Sequence, residues 1–183
     1  NFRTYMFEDL LRRYLEYKGY QVTQVMNLTD IDDKTIKASI KKGIPLDKYT
    51  EPYIRAFFED LDTLGIERAE VYPRATQHIS EMVALVKELI AKGHAYEVNG
   101  NYYYKISTFP DYGKLAKLDM EHLKPGARVA TDEYEKESVS DFALWKAWDP
   151  DDGDVFWETD LGKGRPGWHI ECSAMSMKYL GGH

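Results

Sequence analysis

One cysteine in 183 residues rules out an internal disulfide. A small secreted scaffold held by cross-links is thereby excluded, and the sequence fits a reducing, cytosolic compartment. No apolar run approaches the roughly 18 residues that a membrane span needs. The N-terminus also lacks the basic region and apolar block of a secretory signal. Neither membrane attachment nor a signal peptide is therefore expected. Positive charge is in short supply too, with 24 Lys and Arg against 31 Asp and Glu and a net charge of −7. That excludes a small general nucleic-acid binder coated in basic residues, though not an RNA met by a local basic face. Repeats and low-complexity stretches are absent. What remains is 43% hydrophobic, enough to build one ordinary domain or a domain with an insertion. The acidic clusters at 30–33, 132–137 and 149–154 read as solvated loops and turns.

Apolar spacing predicts a helix over 4–18, with Met6, Leu10, Tyr14 and Tyr17 on its stripe and Gly19 as a left-handed cap. Tyr20 to Leu28 reads as a strand, and helix–glycine–strand is half of a βαβ unit, so a parallel sheet is inferred. Ligands of such sheets bind beyond the carboxyl ends of strands, which draws attention to the Asn27–Lys34 turn. Its aspartates suggest a metal at first sight. The simpler reading is that Asp30 or Asp32 caps the next helix while the others face solvent. Thr29, a hydroxyl at a strand end, is the candidate there for bonding a substrate. Further helices are predicted over 36–42, 52–64 (with Pro52 in the first turn) and 76–92 (with Thr76 as N-cap). His78, near the start of the last, is expected to face solvent or make a local bond. Asn99-Gly100 between aromatic runs signals a hairpin. Its four tyrosines are better explained by sheet packing than by base stacking. A short helix near 119–123, a charged loop at 132–140 and an apolar strand at 142–148 follow. The whole suggests a doubly wound α/β domain interrupted by a small α+β insertion at 94–160.

The most unusual stretch runs from Gly164 to Met175 and holds the single cysteine. Two glycines around Arg165-Pro166 set up a sharp bend and a close approach to something. A helix should follow from Ile170 to Leu180, with Ile170, Ala174 and Met177 on one stripe. Cys172 would then lie in its first turn, where the helix dipole favours a thiolate. A lone cysteine is more often a small buried hydrophobe, so both readings stand on position alone.

The string Trp168-His169-Ile170-Glu171-Cys172 resembles the signature of the cysteinyl-tRNA synthetases. Asn27 to Asp33, Pro73-Arg74-Ala75-Thr76 with His78-Ile79, Leu89 to Tyr96, Pro125 to Val129 and Asp141 to Lys146 resemble other motifs of that family, in the same order. The resemblance covers almost the whole chain. It implies a class I synthetase fold: a Rossmann-type parallel sheet over 1–93, a connective insertion at 94–160, and a return at 161–183 with a zinc-ligand helix. It implies ATP, used with Mg²⁺, as a substrate for activating L-cysteine. The cysteinyl group then passes to tRNA(Cys), with a monomeric cytoplasmic enzyme and a zinc ion that selects the thiolate. By position Cys172 would be one zinc ligand, Thr29 and Trp168 would line the cysteine pocket, and His169 would lie close by. Asn1 would be the last position of the His-Ile-Gly-His-like ATP motif.

The rest of that motif, the zinc cysteine before it, the later Phe-Pro-His-His-Glu run and the Lys-Met-Ser-Lys-Ser loop are not in this sequence. Ala174 to Lys178 is superficially similar to that loop but falls inside the zinc helix, and His183 aligns with no ligand. The 183 residues are therefore expected to be part of a longer enzyme and inert by themselves. The alternatives are a ligase that joins cysteine to an amino-sugar, as in mycothiol synthesis, and a truncated binding module.

Overall fold

The structure is a computed structural model and describes residues 2–115, 117 and 141–182. Asn1, His183, the Pro125–Val129 motif, the 119–123 helix and the 132–140 loop lie outside the described residues. Two compact units are present, Asn1–Gln77 with Tyr179–His183 and His78–Lys178. The chain is α/β in class. Among the described residues no helix is long and apolar enough to cross a membrane.

The first unit carries α1 (Phe2–Tyr17), α2 (Asp33–Lys42) and α3 (Leu46–Thr63). The strand expected at 20–28 reduces to parallel bridges, Val25 with Val71 and Leu28 with Arg74. The hydrogen bonds from Met26 N–H to the Val71 carbonyl (3.0 Å) and Leu28 N–H to the Pro73 carbonyl (2.8 Å) keep the parallel sense. Helix α1 buries no side chain fully. Its predicted apolar stripe of Met6, Leu10, Tyr14 and Tyr17 is exposed, because what holds the helix is its other surface. Phe2 and Tyr5 meet Phe57 at ring distances of 6.0 and 5.5 Å. Arg12 donates to Glu70 (2.5 Å) and to the Arg68 carbonyl (2.9 Å).

Of the two aspartates expected to cap helix α2, Asp32 does so, in a capping box whose Asp32 carboxylate accepts from Thr35 N–H at 2.6 Å. Asp30 departs from the expectation of a solvated aspartate and is only 6% exposed. Helix α3 begins six residues before the expected start, after Pro45, so that Pro52 lies inside it. Proline withholds one N–H in the helix interior. Nearby, the Thr50 hydroxyl donates to the Leu46 carbonyl at 3.0 Å.

The second unit pairs α4 (Ile79–Ala91) and α5 (Trp168–Leu180) with five antiparallel strands. These are β1 (Ala95–Val98), β2 (Asn101–Tyr104), β3 (Phe142–Ala147), β4 (Trp157–Thr159) and β5 (Gly162–Pro166), in the order β1-β2-β3-β5-β4. Asn99 and Gly100 both take positive φ, 52° and 79°, as a primed hairpin turn requires. Tyr103 and Trp145 of the sheet are fully buried, as are Met82 and Val86 of α4. His78 precedes α4 and is 4% exposed, so of the two expectations for it, facing solvent or making a local bond, the first does not hold. Thr76 does not cap α4; it lies in a 3₁₀ turn, Ala75–Gln77.

The Gly164–Gly167 stretch is not a free bend. Residues 164–166 form the end of β5, paired with β3 through Trp145–Pro166, Lys146–Arg165 and Ala147–Gly164. A Cβ on Gly164 would lie 2.2 Å from the Lys146 carbonyl oxygen, and one on Gly167 only 2.0 Å from that of Ala143. The close approach read from these glycines is real, and strand β3 is what they approach.

Helix α5 is fastened to α4 by Lys178, which donates to Glu81. That hydrogen bond, with help from Ser80, holds the Glu81 carboxyl at about 2, below its ordinary 4.5. The stabilisation is therefore complete above about pH 4.5 and drains away as pH falls towards 2. The pair is partly exposed, which limits it to about 1 kcal/mol. Glu81→Gln should lower the amide-exchange protection of α5 about fivefold at pH 7. Wild-type protection, corrected for intrinsic exchange, should fall by the same factor between pH 4.5 and 2. An unchanged Glu81→Gln profile would show that the pair contributes nothing.

Candidate active-site helix

Helix α5 turns Ile170, Glu171, Ala174 and Met175 inward, which leaves 168, 169, 172 and 173 on the opposite face. This follows from helical period alone, since positions four apart share a face. Trp168, His169 and Cys172 are accordingly brought together within one turn and all are exposed, Trp168 at 59%. The buried stripe differs from the expected one in that Met177 is exposed. The entry to the helix is fixed by the Gly167 N–H, which donates to the Leu144 carbonyl at 2.8 Å. His169 lies 5.3 Å from the Trp168 ring and 4.6 Å from that of Phe142.

Cys172 departs from the expectation in two ways. Because the helix starts at Trp168, the thiol sits in the second turn, past the reach of the N-terminal dipole. The residue is exposed, yet partial desolvation, followed by the Glu171 carboxylate, pushes its thiol above the ordinary value. Glu171 is itself 2% exposed. Left alone at neutral pH Cys172 is a thiol, and a metal would have to displace its proton.

Thr29 belongs to the other unit. Its hydroxyl accepts from Asn27 Nδ2 at 3.1 Å, so its own hydrogen can be donated to a ligand. It lines a cavity of about 360 Å³ together with Asp30, Thr35, Tyr49, Tyr53 and Phe57. Asp30 shapes this corner: its two carboxylate oxygens accept from Thr76 N–H (3.0 Å) and from the Thr76 hydroxyl (2.6 Å). That pairing joins the Asn27–Asp33 and Pro73–Thr76 motifs. Nothing local in the sequence announces it, since the partners lie 46 residues apart. A second cavity, of about 460 Å³, lies between α4 and β4, with the Lys87–Asp160 ion pair (2.5 Å) on its wall. Its walls are ordinary helix and strand surface, which carries no local signal in the sequence.

Among the described residues no group of three or more His, Cys, Asp or Glu is placed to hold a metal. Cys172 fits zinc as a single soft, solvent-accessible donor, and the remaining ligands of a tetrahedral site would come from elsewhere.

The family described as tRNA synthetases class I (C) catalytic domain matches residues 1–183. Among similar proteins, the cysteine–tRNA ligase of Brachyspira hyodysenteriae is 61% identical over 100% of this chain and 39% of its own length. That of Protochlamydia amoebophila is 58% identical over 99% of the chain and 39% of its own length. That of Chlamydia pneumoniae is 54% identical, again over 99% and 39%. The chain thus spans 39% of the length of these relatives. With the motifs of the sequence matched from end to end, the chain belongs to the class I (C) tRNA synthetase catalytic-domain family.

Proposed function

We propose that this chain is part of the catalytic domain of a cytoplasmic, monomeric cysteine–tRNA ligase. The observation that carries the reading is the identity of 61% along the whole chain to a cysteine–tRNA ligase. The amino-sugar ligase is not favoured, since the relatives are named as ligases of tRNA. In the first step the carboxylate of L-cysteine attacks the α-phosphorus of ATP, and pyrophosphate leaves with Mg²⁺. In the second a ribose hydroxyl at the 3′ end of tRNA(Cys) attacks the adenylate carbonyl, and AMP leaves.

Residues 1–93 and 161–183 belong, in this reading, to the nucleotide-binding domain, and 94–160 to the connective insertion. Asn1 closes the ATP motif. Cys172 is one ligand of a zinc ion which, when bound, supplies a soft site that prefers a thiolate to the hydroxyl of serine. Trp168 walls the cysteine pocket and excludes water, with His169 beside it. The Thr29 hydroxyl, oriented by Asn27, donates to the bound amino acid. The test is ATP–pyrophosphate exchange by the full-length protein. L-Cysteine should drive it and L-serine should not, and equal rates with the two would sink the reading.

A further inference from the structure

Strand β5 has little of its own to fix where it lies. Gly162 and Gly164 carry no side chain, and Pro166 has no N–H to donate. Glycine-rich strands specify their register weakly, because few side chains lock them to a neighbour. The two long side chains of β5 are Lys163 and Arg165, two positions apart and so on one side of the strand. Both are gripped by residues 148–156. Arg165 Nε donates to the Asp152 carboxylate at 3.0 Å, and both side chains are buried. The Lys163 ammonium lies 3.6 Å from the Trp148 ring centroid and 3.9 Å from that of Phe156. The gripping segment is itself tied down. Asp152 ends the 3₁₀ turn Pro150–Asp152, capped by Asp149, whose carboxylate accepts from Asp151 N–H at 2.8 Å. Trp148 Nε1 donates to the Gly153 carbonyl at 2.9 Å. Asp152 is therefore not one of the solvated aspartates expected at 149–154.

We propose that Asp152 is a positioning residue for the site on α5, acting through Arg165. The inference rests on the proposed function, which puts a wall of the cysteine pocket at Trp168. Only Pro166 and Gly167 separate Arg165 from Trp168, so the start of α5 goes where β5 goes. The bond from Gly167 N–H to the Leu144 carbonyl exists only while β5 keeps its place on β3. A buried ion pair is not needed for stability alone, since apolar side chains of similar volume often serve as well. What the pair adds is direction. A guanidinium–carboxylate contact fixes its partners in distance and angle, whereas an apolar contact lets them slide. Position matters at a reacting site, where a displacement of about 1 Å is worth up to about 100-fold.

The experiment uses the full-length protein and separates position from stability. Asp152→Asn removes the counter-charge of a buried guanidinium, so the thermal midpoint should fall. Asp152→Leu combined with Arg165→Met replaces the pair by apolar side chains, and the midpoint should return close to that of the wild type. In both variants the KM for L-cysteine in pyrophosphate exchange should rise about tenfold, while the KM for ATP stays within about twofold. Loss of folded protein alone would lower the maximal rate and leave both KM values unchanged. The Gly167 amide gives a second reading that needs no activity. Its hydrogen exchange should quicken about tenfold in the double variant, while the amides of α4 stay as in the wild type. A stable double variant with the wild-type cysteine KM, or with unchanged Gly167 exchange, would overturn the proposal and leave the pair to the fold alone. Should the double variant not fold, the same two readings on Asp152→Asn, taken below its midpoint, decide. A wild type without cysteine-dependent pyrophosphate exchange would instead fail the ligase reading, and the Gly167 amide would still test the positioning.

Discussion

Gly167→Ala is expected to destabilise the 78–178 unit by about 3 kcal/mol or more. The reason is backbone against backbone. The added methyl would lie 2.0 Å from the Ala143 carbonyl oxygen and 2.6 Å from its carbon, and neither can rotate away as a flexible side chain would. Relief requires β5 to move off β3, which breaks the Gly167–Leu144 hydrogen bond and shifts the first turn of α5. Gly164→Ala should behave similarly, since its methyl would meet the Lys146 carbonyl oxygen at 2.2 Å and Trp145 Nε1 at 2.6 Å. Gly182→Ala has nothing within 4 Å and serves as the neutral control. Urea denaturation of the three variants gives the comparison. A Gly167→Ala protein as stable as Gly182→Ala would show that β3 and β5 are not packed this closely.

Cys172→Ser should lower zinc affinity at least about 100-fold, because the hydroxyl is a harder and far less acidic donor than the thiol. The side chain is exposed and the change removes almost no volume, so folding should be unaffected. Ser173→Ala, next along the same helix face, should bind zinc as wild type does. Metal analysis of the purified full-length proteins, followed by titration with a chelator, separates the cases. If Cys172→Ser kept its zinc under chelation as the wild type does, this residue would not be a ligand. Metal uptake by the wild type should also weaken as pH falls, because desolvation and Glu171 favour the protonated thiol, whose proton zinc must displace.

These two positions show what was legible in the residues. The Asn99-Gly100 hairpin and a cap by Asp30 or Asp32 follow from local backbone chemistry, whereas position alone left Cys172 open between a buried hydrophobe and an exposed thiol, and the structure exposes it. The nature of the Gly164–Gly167 stretch does not follow from local chemistry. Glycine and proline read locally as a bend, whereas here glycine is demanded by strand β3, much earlier in the chain. Burial of Asp30 was hidden for the same reason, as Asp30 is satisfied by Thr76 and not by its own turn. The thiolate expected at Cys172 assumed a first-turn position, and a helix that starts two residues earlier removes that argument. On α1, periodicity found the apolar stripe but could not say that the anchoring would come through Phe2, Tyr5 and Arg12.

In the proposed function the full-length enzyme activates cysteine and rejects serine through a soft metal site containing Cys172. The most direct test is ATP–pyrophosphate exchange by the full-length protein, with L-cysteine and L-serine side by side, before and after zinc is stripped and restored. Exchange is expected with cysteine alone, lost on stripping and regained with zinc. Exchange that proceeds equally with serine, or that ignores zinc removal, would contradict it.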